Sequence, residues 1–405
     1  MPCVLTCHQI TRYGTPIVVD GTCDRRFAAV RGVFAEGFER RGEVGAAVAV
    51  TLDGRPVVDL WGGHTDPVRT RPWARDTIVH VFSTTKGMTA LCAHLLADRG
   101  RLDLDAPVAR YWPEFACAGK SALPVHLTLS HRAGLPAIRR RLPPEAMFEW
   151  DTMTAALAAE EPWWEPGTKH GYHLVTYGWL VGEIVRRVSG KSLGTFFRDE
   201  VAGPLGLDCH IGLAAEHDAR TADIIPGPSP EPGDPLLEAL SDPGSMRFLA
   251  IANPPWTVES VNTRAWRAAE IPAVNAHTNA RALARLYGVL ACGGSHDGRR
   301  LIRPETLARA TEQQCEGPDA VTGLPGRLAL GFGLSLPEWP LGPGRHSFGH
   351  PGAGGSVGFA DPEARLGFGY TPNRMGAGLD LRDPRTIALI NAVYAAVYVA
   401  VYASL

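Results

Sequence analysis

Lysine is the scarce residue of this chain: of 40 basic side chains only Lys86, Lys120, Lys169 and Lys191 are lysines, and the other 36 are arginines. Each lysine therefore carries information. An excess of one charge is also lacking, because 42 acidic residues against 40 basic ones leave a net charge of -2. No basic run exceeds Arg139-Arg140-Arg141, so no face for a nucleic-acid backbone is implied. The eight cysteines contain no CxxC pair and no regular spacing, which argues against a zinc site built on paired thiols. A chain of 405 residues needs no disulfide framework either. The opening MPCVLTCHQITRYGTP lacks the basic start and apolar run of a secretory signal, and the expectation is a soluble protein of the reducing cytoplasm. The stretch from Thr386 to Leu405 is apolar enough to suggest a membrane span. It holds Asn391, however, and Tyr394, Tyr398 and Tyr402 fall at i, i+4 and i+8, so a helix packed on a sheet is predicted and no membrane partner.

Apolar residues are plentiful at 45%, enough for a sizeable core. Arg25 to Arg41 reads as a helix with Phe27, Val30, Val33, Phe34 and Phe38 on one face. Ala46 to Leu52 and Pro56 to Trp61 read as strands joined by Asp53-Gly54, a strong hairpin signal. Ile78 to Phe82 is a short apolar run leading into a helix with Met88, Leu91, Cys92, Leu95 and Leu96 at helical spacing. Helix signals fill the middle: Met153 to Glu160, Thr176 to Val188, Ser192 to Glu200, Asn279 to Cys292 and Pro304 to Gln314. Ile225 to Gly244 is dense in proline and glycine and reads as a loop. Strand character returns at Leu328 to Leu336, Ser347 to Gly349, Ser356 to Ala360 and Leu366 to Tyr370, with a turn at Asp361 to Arg365. Strands at both ends around a helical middle predict an α/β fold of the α+β type. Residues 1–80 and 326–405 would form one α/β layer, and 81–325 a mainly helical insertion.

Ser83-Thr84-Thr85-Lys86 is the sharpest chemical feature. Three residues along a helix put serine and lysine on one face, where an amine can reach the hydroxyl. The helix dipole and burial both lower a lysine pKa there, towards a neutral amine that accepts a proton from Ser83. Gly87 costs helix propensity in the same turn. A Pro166-Gly167 turn presents Tyr172 just before a helix, and a phenol whose pKa a nearby cation lowers can shuttle protons. His170 and His173 lack further ligands at a recognisable spacing, so no metal or other cofactor is expected. The glycine-rich run from Phe348 to Gly358 contains a formal G-x-S-x-G at Gly354 to Gly358. A strand, not a helix, follows it, so Ser356 is expected to be a decoy and not a nucleophile.

These motifs resemble the serine β-lactamase/penicillin-binding-protein superfamily, and within it the class C-like family VIII carboxylesterases. Leu127-Thr128-Leu129-Ser130-His131-Arg132-Ala133-Gly134-Leu135, Pro166-Gly167-Thr168 before Tyr172, and Gly203-Pro204-Leu205-Gly206-Leu207 extend the resemblance from about Phe27 to the C-terminal helix. It implies a β-lactamase/transpeptidase-like fold, an antiparallel sheet flanked by helices plus a helical domain. It further implies Ser83 as nucleophile, Lys86 as base and Tyr172 as proton shuttle, with the backbone N–H groups of Ser83 and Ala353 as oxyanion hole. Two departures matter. Tyr172-His173-Leu174 lacks the asparagine of the family's Y-x-N. His350-Pro351-Gly352 stands in place of K-T-G, which puts His350 and Gly352 in the substrate-binding position. Loss of that lysine disfavours carboxylate-bearing β-lactams and favours a small neutral ester as substrate. The expected activity is short-chain carboxylesterase. A β-lactamase, DD-peptidase or acyltransferase shares the acyl-enzyme, and a non-catalytic scaffold shares only the fold.

Overall fold

The computed structural model describes residues 18–337, 340–376 and 383–402. The leader with Cys3 and Cys7 and the last three residues lie outside the described residues. Nine strands form one antiparallel sheet: β1 (Val19–Cys23), β2 (Gly45–Leu52), β3 (Arg55–Gly63), β4 (Cys315–Pro318), β5 (Pro325–Leu328), β6 (Gly333–Leu334), β7 (Phe348–Pro351), β8 (Val357–Asp361) and β9 (Leu366–Pro372). Their order is β1-β3-β2-β9-β8-β7-β6-β5-β4. The centre of the sheet joins the two ends of the chain, because β2 pairs with β9 from Ala46↔Pro372 to Leu52↔Leu366. Asp53 and Gly54 turn the first hairpin with φ of 50° and 73°, the positive pair that a type I′ turn requires.

Five helices matter for the site: α1 (Ala28–Arg40), α2 (Thr85–Asp98), α3 (Thr176–Ser189), α4 (Ala280–Ala291) and α5 (Pro384–Tyr402). Alternate residues of a strand face opposite sides, and β2 shows it clearly. Ala46, Val48 and Val50 pack with Phe27, Val30 and Phe34 at α1 and with Leu389, Ile390 and Val393 of α5. Ala47 and Ala49 face the other way, into the main core with α2, α3 and α4. There α4 lies almost on the backbone of β9. A Cβ at Gly367 would stand 2.2 Å from Gly288 N, and one at Gly369 would stand 2.3 Å from Ala280 O.

The fold is the mixed α/β arrangement expected, an antiparallel sheet with helices on both faces, and α5 packs on the sheet. Among the described residues no helix is long and apolar enough to cross a membrane. Several local readings need correction. Leu328 to Leu336 is two strands, because the chain reverses at Leu330-Gly331, where Gly331 has φ of 91° and passes 2.3 Å, by its absent Cβ, from Ala90 Cβ. The helix expected from Ser192 to Glu200 is α-helical only over Leu193–Phe197 and continues as a π turn over Arg198–Ala202. The loop from Ile225 to Gly244 contains a short helix, Pro235–Ala239, capped by the Asp234 side chain. The edge strands β1 and β4 escaped the sequence reading; neither has a fully buried residue and so neither shows an apolar run.

Candidate active site

The short strand Ile78–His80 delivers the chain to a 3-10 turn, Phe82–Thr84, that continues directly into α2. Phe82 has φ of 44°, a left-handed conformation that costs a bulky residue energy and is found at sites held by their surroundings. Its ring is buried against the edge of His80, centroids 4.3 Å apart. From Thr77 to Leu96 each residue but one is buried, and that one is Ser83. Ser83 is thus the one partly exposed residue of an otherwise buried segment.

Lys86, one turn further, is fully buried and has no carboxylate partner among the described residues. Its Nζ lies 2.7 Å from Leu174 O, 3.0 Å from Ala273 O and 3.0 Å from Ser83 Oγ. The two carbonyls only accept, so they take two N–H groups. Burial pushes the Lys86 pKa well below that of an ordinary lysine, and a neutral amine has two N–H groups and one lone pair. In that neutral form, with both N–H groups on the carbonyls, the lone pair would be turned to Ser83 Oγ. The first-turn lysine is explained by this arrangement. So is Gly87, where a Cβ would stand 2.4 Å from the Tyr287 hydroxyl and 3.3 Å from the Phe332 ring.

Tyr172 comes from the loop before α3. Its ring lies 4.6 Å from Lys86 Nζ and 4.8 Å from the His131 ring, and its hydroxyl hydrogen-bonds to Ser83. The expectation of a lowered phenol pKa is corrected: burial raises it. Lys86, whose Nζ lies over the ring, is itself pushed towards neutrality by burial, so the resting tyrosine keeps its proton. His350, on β7, is buried and its pKa falls to about 3, mainly by burial and then by Lys86. Nδ1 lies 2.7 Å from Pro351 O, an acceptor only, so the proton sits on Nδ1. The unprotonated Nε2 faces the Tyr172 hydroxyl at 3.5 Å.

Ala353 opens a short 3-10 turn, Ala353–Gly355, after β7. Like Ser83, it lies in a first turn where N–H groups have no intrahelical acceptor. Gly352 works behind the cleft: its N–H donates to Ser356 O at 2.7 Å, and a Cβ there would stand 2.3 Å from both Ser356 Oγ and Val81 O. Ser356 is buried, donates to Val81 O at 2.8 Å and lies 3.2 Å from Thr84 Oγ1. Its hydroxyl is buried and bonded to a backbone carbonyl, whereas Ser83 is partly exposed. His173 donates from Nδ1 to Gly171 O at 2.6 Å and accepts the Leu135 N–H at Nε2, 3.0 Å. Both ring nitrogens are thereby used in shaping the Tyr172 loop, and the His173 N–H donates to His131 Nδ1 at 3.0 Å. The carbonyls of Leu174 and Ala273 and the His131 ring were missed from the sequence as parts of the site. Carbonyls carry no side-chain signal, and only proximity in the fold identifies them.

The chain is similar to known proteins in sequence and fold. Residues 30–392 match the family model described as Beta-lactamase. The chain is 39% identical over 372 residues to the Esterase/beta-lactamase LipL of Mycobacterium tuberculosis, covering 90% of this chain and 85% of that one. The crystal structure of a family VIII carboxylesterase has a TM-score of 0.86 at 44% identity, covering 93% of this chain and 99% of that one. A penicillin-binding protein homologue from Caulobacter crescentus gives 0.85 at 42% identity, with the same coverage of 93% and 99%. The chain belongs to the Beta-lactamase family.

Proposed function

We propose that this protein is a carboxylesterase that hydrolyses small neutral esters through an acyl-enzyme on Ser83. The observation that carries the reading is the buried Lys86 amine, whose Nζ lies within hydrogen-bond distance of Leu174 O, Ala273 O and Ser83 Oγ and whose pKa burial pushes down. Ser83 Oγ attacks the ester carbonyl carbon while its proton passes to Lys86 Nζ. The carbonyl oxygen, now negative, takes hydrogen bonds from the N–H groups of Ser83 and Ala353. Tyr172 gives its phenolic proton to the departing alkoxide, and the proton held on Lys86 Nζ passes to the phenolate oxygen to restore the phenol. Water repeats the attack on the acyl carbon, its proton passes to Lys86, and Ser83 leaves with a proton returned from there. No cofactor takes part in any step.

Among the described residues, the basic side chains beside Ser83 and Tyr172, Lys86 and His350, are both pushed towards neutrality. His350, with a pKa of about 3, is neutral at pH 7, and Lys86 is driven the same way. A carboxylate brought beside them goes unpaired, at a cost of about 2–5 kcal/mol. Similarity to proteins named carboxylesterase and Esterase/beta-lactamase supports the same reading. Acetyl to hexanoyl p-nitrophenyl esters should be turned over, and kcat/KM on the butyrate should exceed that on benzylpenicillin. A penicillin value equal to or above the butyrate value makes the protein a β-lactamase instead. A fluorophosphonate should label the peptide that contains Ser83; label confined to Ser356 overturns the mechanism.

A further inference from the structure

The turn that carries Ala353 is gripped from behind by the start of α5. Arg385 Nη2 donates to Gly354 O at 2.8 Å, and Thr386 Oγ1 donates to Gly355 O at 2.8 Å. Both residues are buried. Arg385 is in turn fixed on every other side. Its guanidinium meets the Asp383 carboxylate at 2.9 and 2.6 Å, Glu43 Oε1 at 3.1 Å and Arg374 O at 2.9 Å. Glu43 also accepts the Tyr370 hydroxyl. A planar fork held at this many points has little freedom left.

The turn is shaped to fit that group. Gly354 and Gly355 have φ of 81° and 103°, where side chains are strained. A Cβ at Gly355 would stand 2.6 Å from Asp383 Oδ2 and 3.2 Å from Arg385 Nη2. Two carbonyls of one three-residue turn are therefore anchored to two successive side chains, through glycines that admit the pair. Anchoring Gly354 O fixes the peptide plane that also carries the Gly355 N–H, and that N–H donates at 3.2 Å to Gly352 O, the carbonyl of the peptide unit whose N–H belongs to Ala353.

We propose that Arg385 and Thr386 are positioning residues that aim the Ala353 N–H at the reacting oxygen. The proposal rests on the reading of Ala353 as half of the oxyanion hole. Both residues act through the turn, and neither touches substrate. Loss of a whole donor from such a hole costs roughly 10²–10³ in kcat, so a donor misdirected by a loosened turn should cost about tenfold to a hundredfold.

The test compares Arg385→Lys, Thr386→Val and Tyr370→Phe with the parent protein. Arg385→Lys keeps a charge between Glu43 and Asp383 but loses the fork. Thr386→Val keeps shape and charge, so it serves even if the lysine variant fails to fold. Tyr370→Phe disturbs the same buried cluster by removing a bond to Glu43, without touching the turn. The readouts are the rate constant for phosphonylation of Ser83 by a fluorophosphonate, kcat and KM on a butyrate ester, and the rate ratio between that ester and its thionoester. Sulfur accepts hydrogen bonds weakly, so a thionoester benefits little from the hole. Arg385→Lys should lower phosphonylation and kcat by about tenfold or more with KM within twofold, and Thr386→Val by about three- to tenfold. In both, the oxoester advantage should shrink, whereas Tyr370→Phe should keep it. Parent-like phosphonylation in both turn variants overturns the proposal, as does a rate loss that leaves the oxo-to-thiono ratio unchanged. A parent protein that is labelled at Ser83 but hydrolyses no ester refutes the substrate reading alone, since the labelling rates still decide on the turn.

Discussion

Lys86 and Tyr172 reach the same chemistry from opposite directions. Burial disfavours the charge on the amine and favours the protonated phenol, which are the states that a base and an acid require. An arginine at position 86 stays charged, with a pKa above about 12. Lys86→Arg should therefore be nearly as inactive as Lys86→Ala, several orders of magnitude below the parent in kcat/KM. Substantial activity in the arginine variant would assign Lys86 the role of a fixed charge. Tyr172→Phe keeps the ring against His131 and removes the proton; kcat on a p-nitrophenyl ester should drop less than on an ethyl ester, because nitrophenolate leaves without protonation. Equal losses on the two substrates would take the shuttle role away from Tyr172. Ser83, Lys86 and Tyr172 could be picked out of the sequence because each needs a particular side chain at a particular spacing. Arg385, Thr386 and the two lysine-binding carbonyls could not, since nothing in the local sequence says what lies opposite them.

At the scale of elements, legibility followed burial. α1, α3 and α4 and the strands β2, β3, β8 and β9 showed through their apolar spacing and lie within a few residues of their expected ends. Edge strands β1 and β4, half-solvated, gave no such signal. The turn at Leu330-Gly331 was hidden inside an apolar run that pattern alone cannot divide. α2 is a further case: buried on all sides from Thr85 to Leu96, it has space for glycine only at position 87. Gly87→Ala should lower stability by about 1–3 kcal/mol through overpacking against Tyr287 and Phe332. The Tyr287 hydroxyl is itself buried with no hydrogen-bond partner among the described residues, and a buried unpaired hydroxyl carries a desolvation cost. Tyr287→Phe alone should then be neutral or stabilising in a urea titration, and it should restore part of the stability lost in Gly87→Ala. Additive effects of the two changes would mean that the clash lies elsewhere.

For the whole molecule, the point of interest is where the two ends of the chain close on each other. Glu43 stands before β2, Tyr370 on β9, and Asp383 and Arg385 at the start of α5, all buried together. Two carboxyls share one guanidinium there, so full ionisation leaves an excess negative charge out of reach of water. Burial raises the Glu43 pKa to about 7, against the pull of Arg385 and the Tyr370 hydrogen bond. The unfolded chain ionises Glu43 near the ordinary value of about 4.3. Between those two values the native state holds a proton that the unfolded state has released, so this group's contribution to stability is full at pH 4 and declines as pH rises through 7. The loss is on the order of a few kcal/mol. Glutamine at position 43 keeps an acceptor for Tyr370 and carries no ionisable proton. Thermal unfolding of the parent and of Glu43→Gln, measured from pH 5 to 8, should show the parent losing stability relative to the variant as pH rises. Two curves that run parallel across that range would place the Glu43 pKa back in the ordinary carboxyl range and assign its negative charge fully to Arg385.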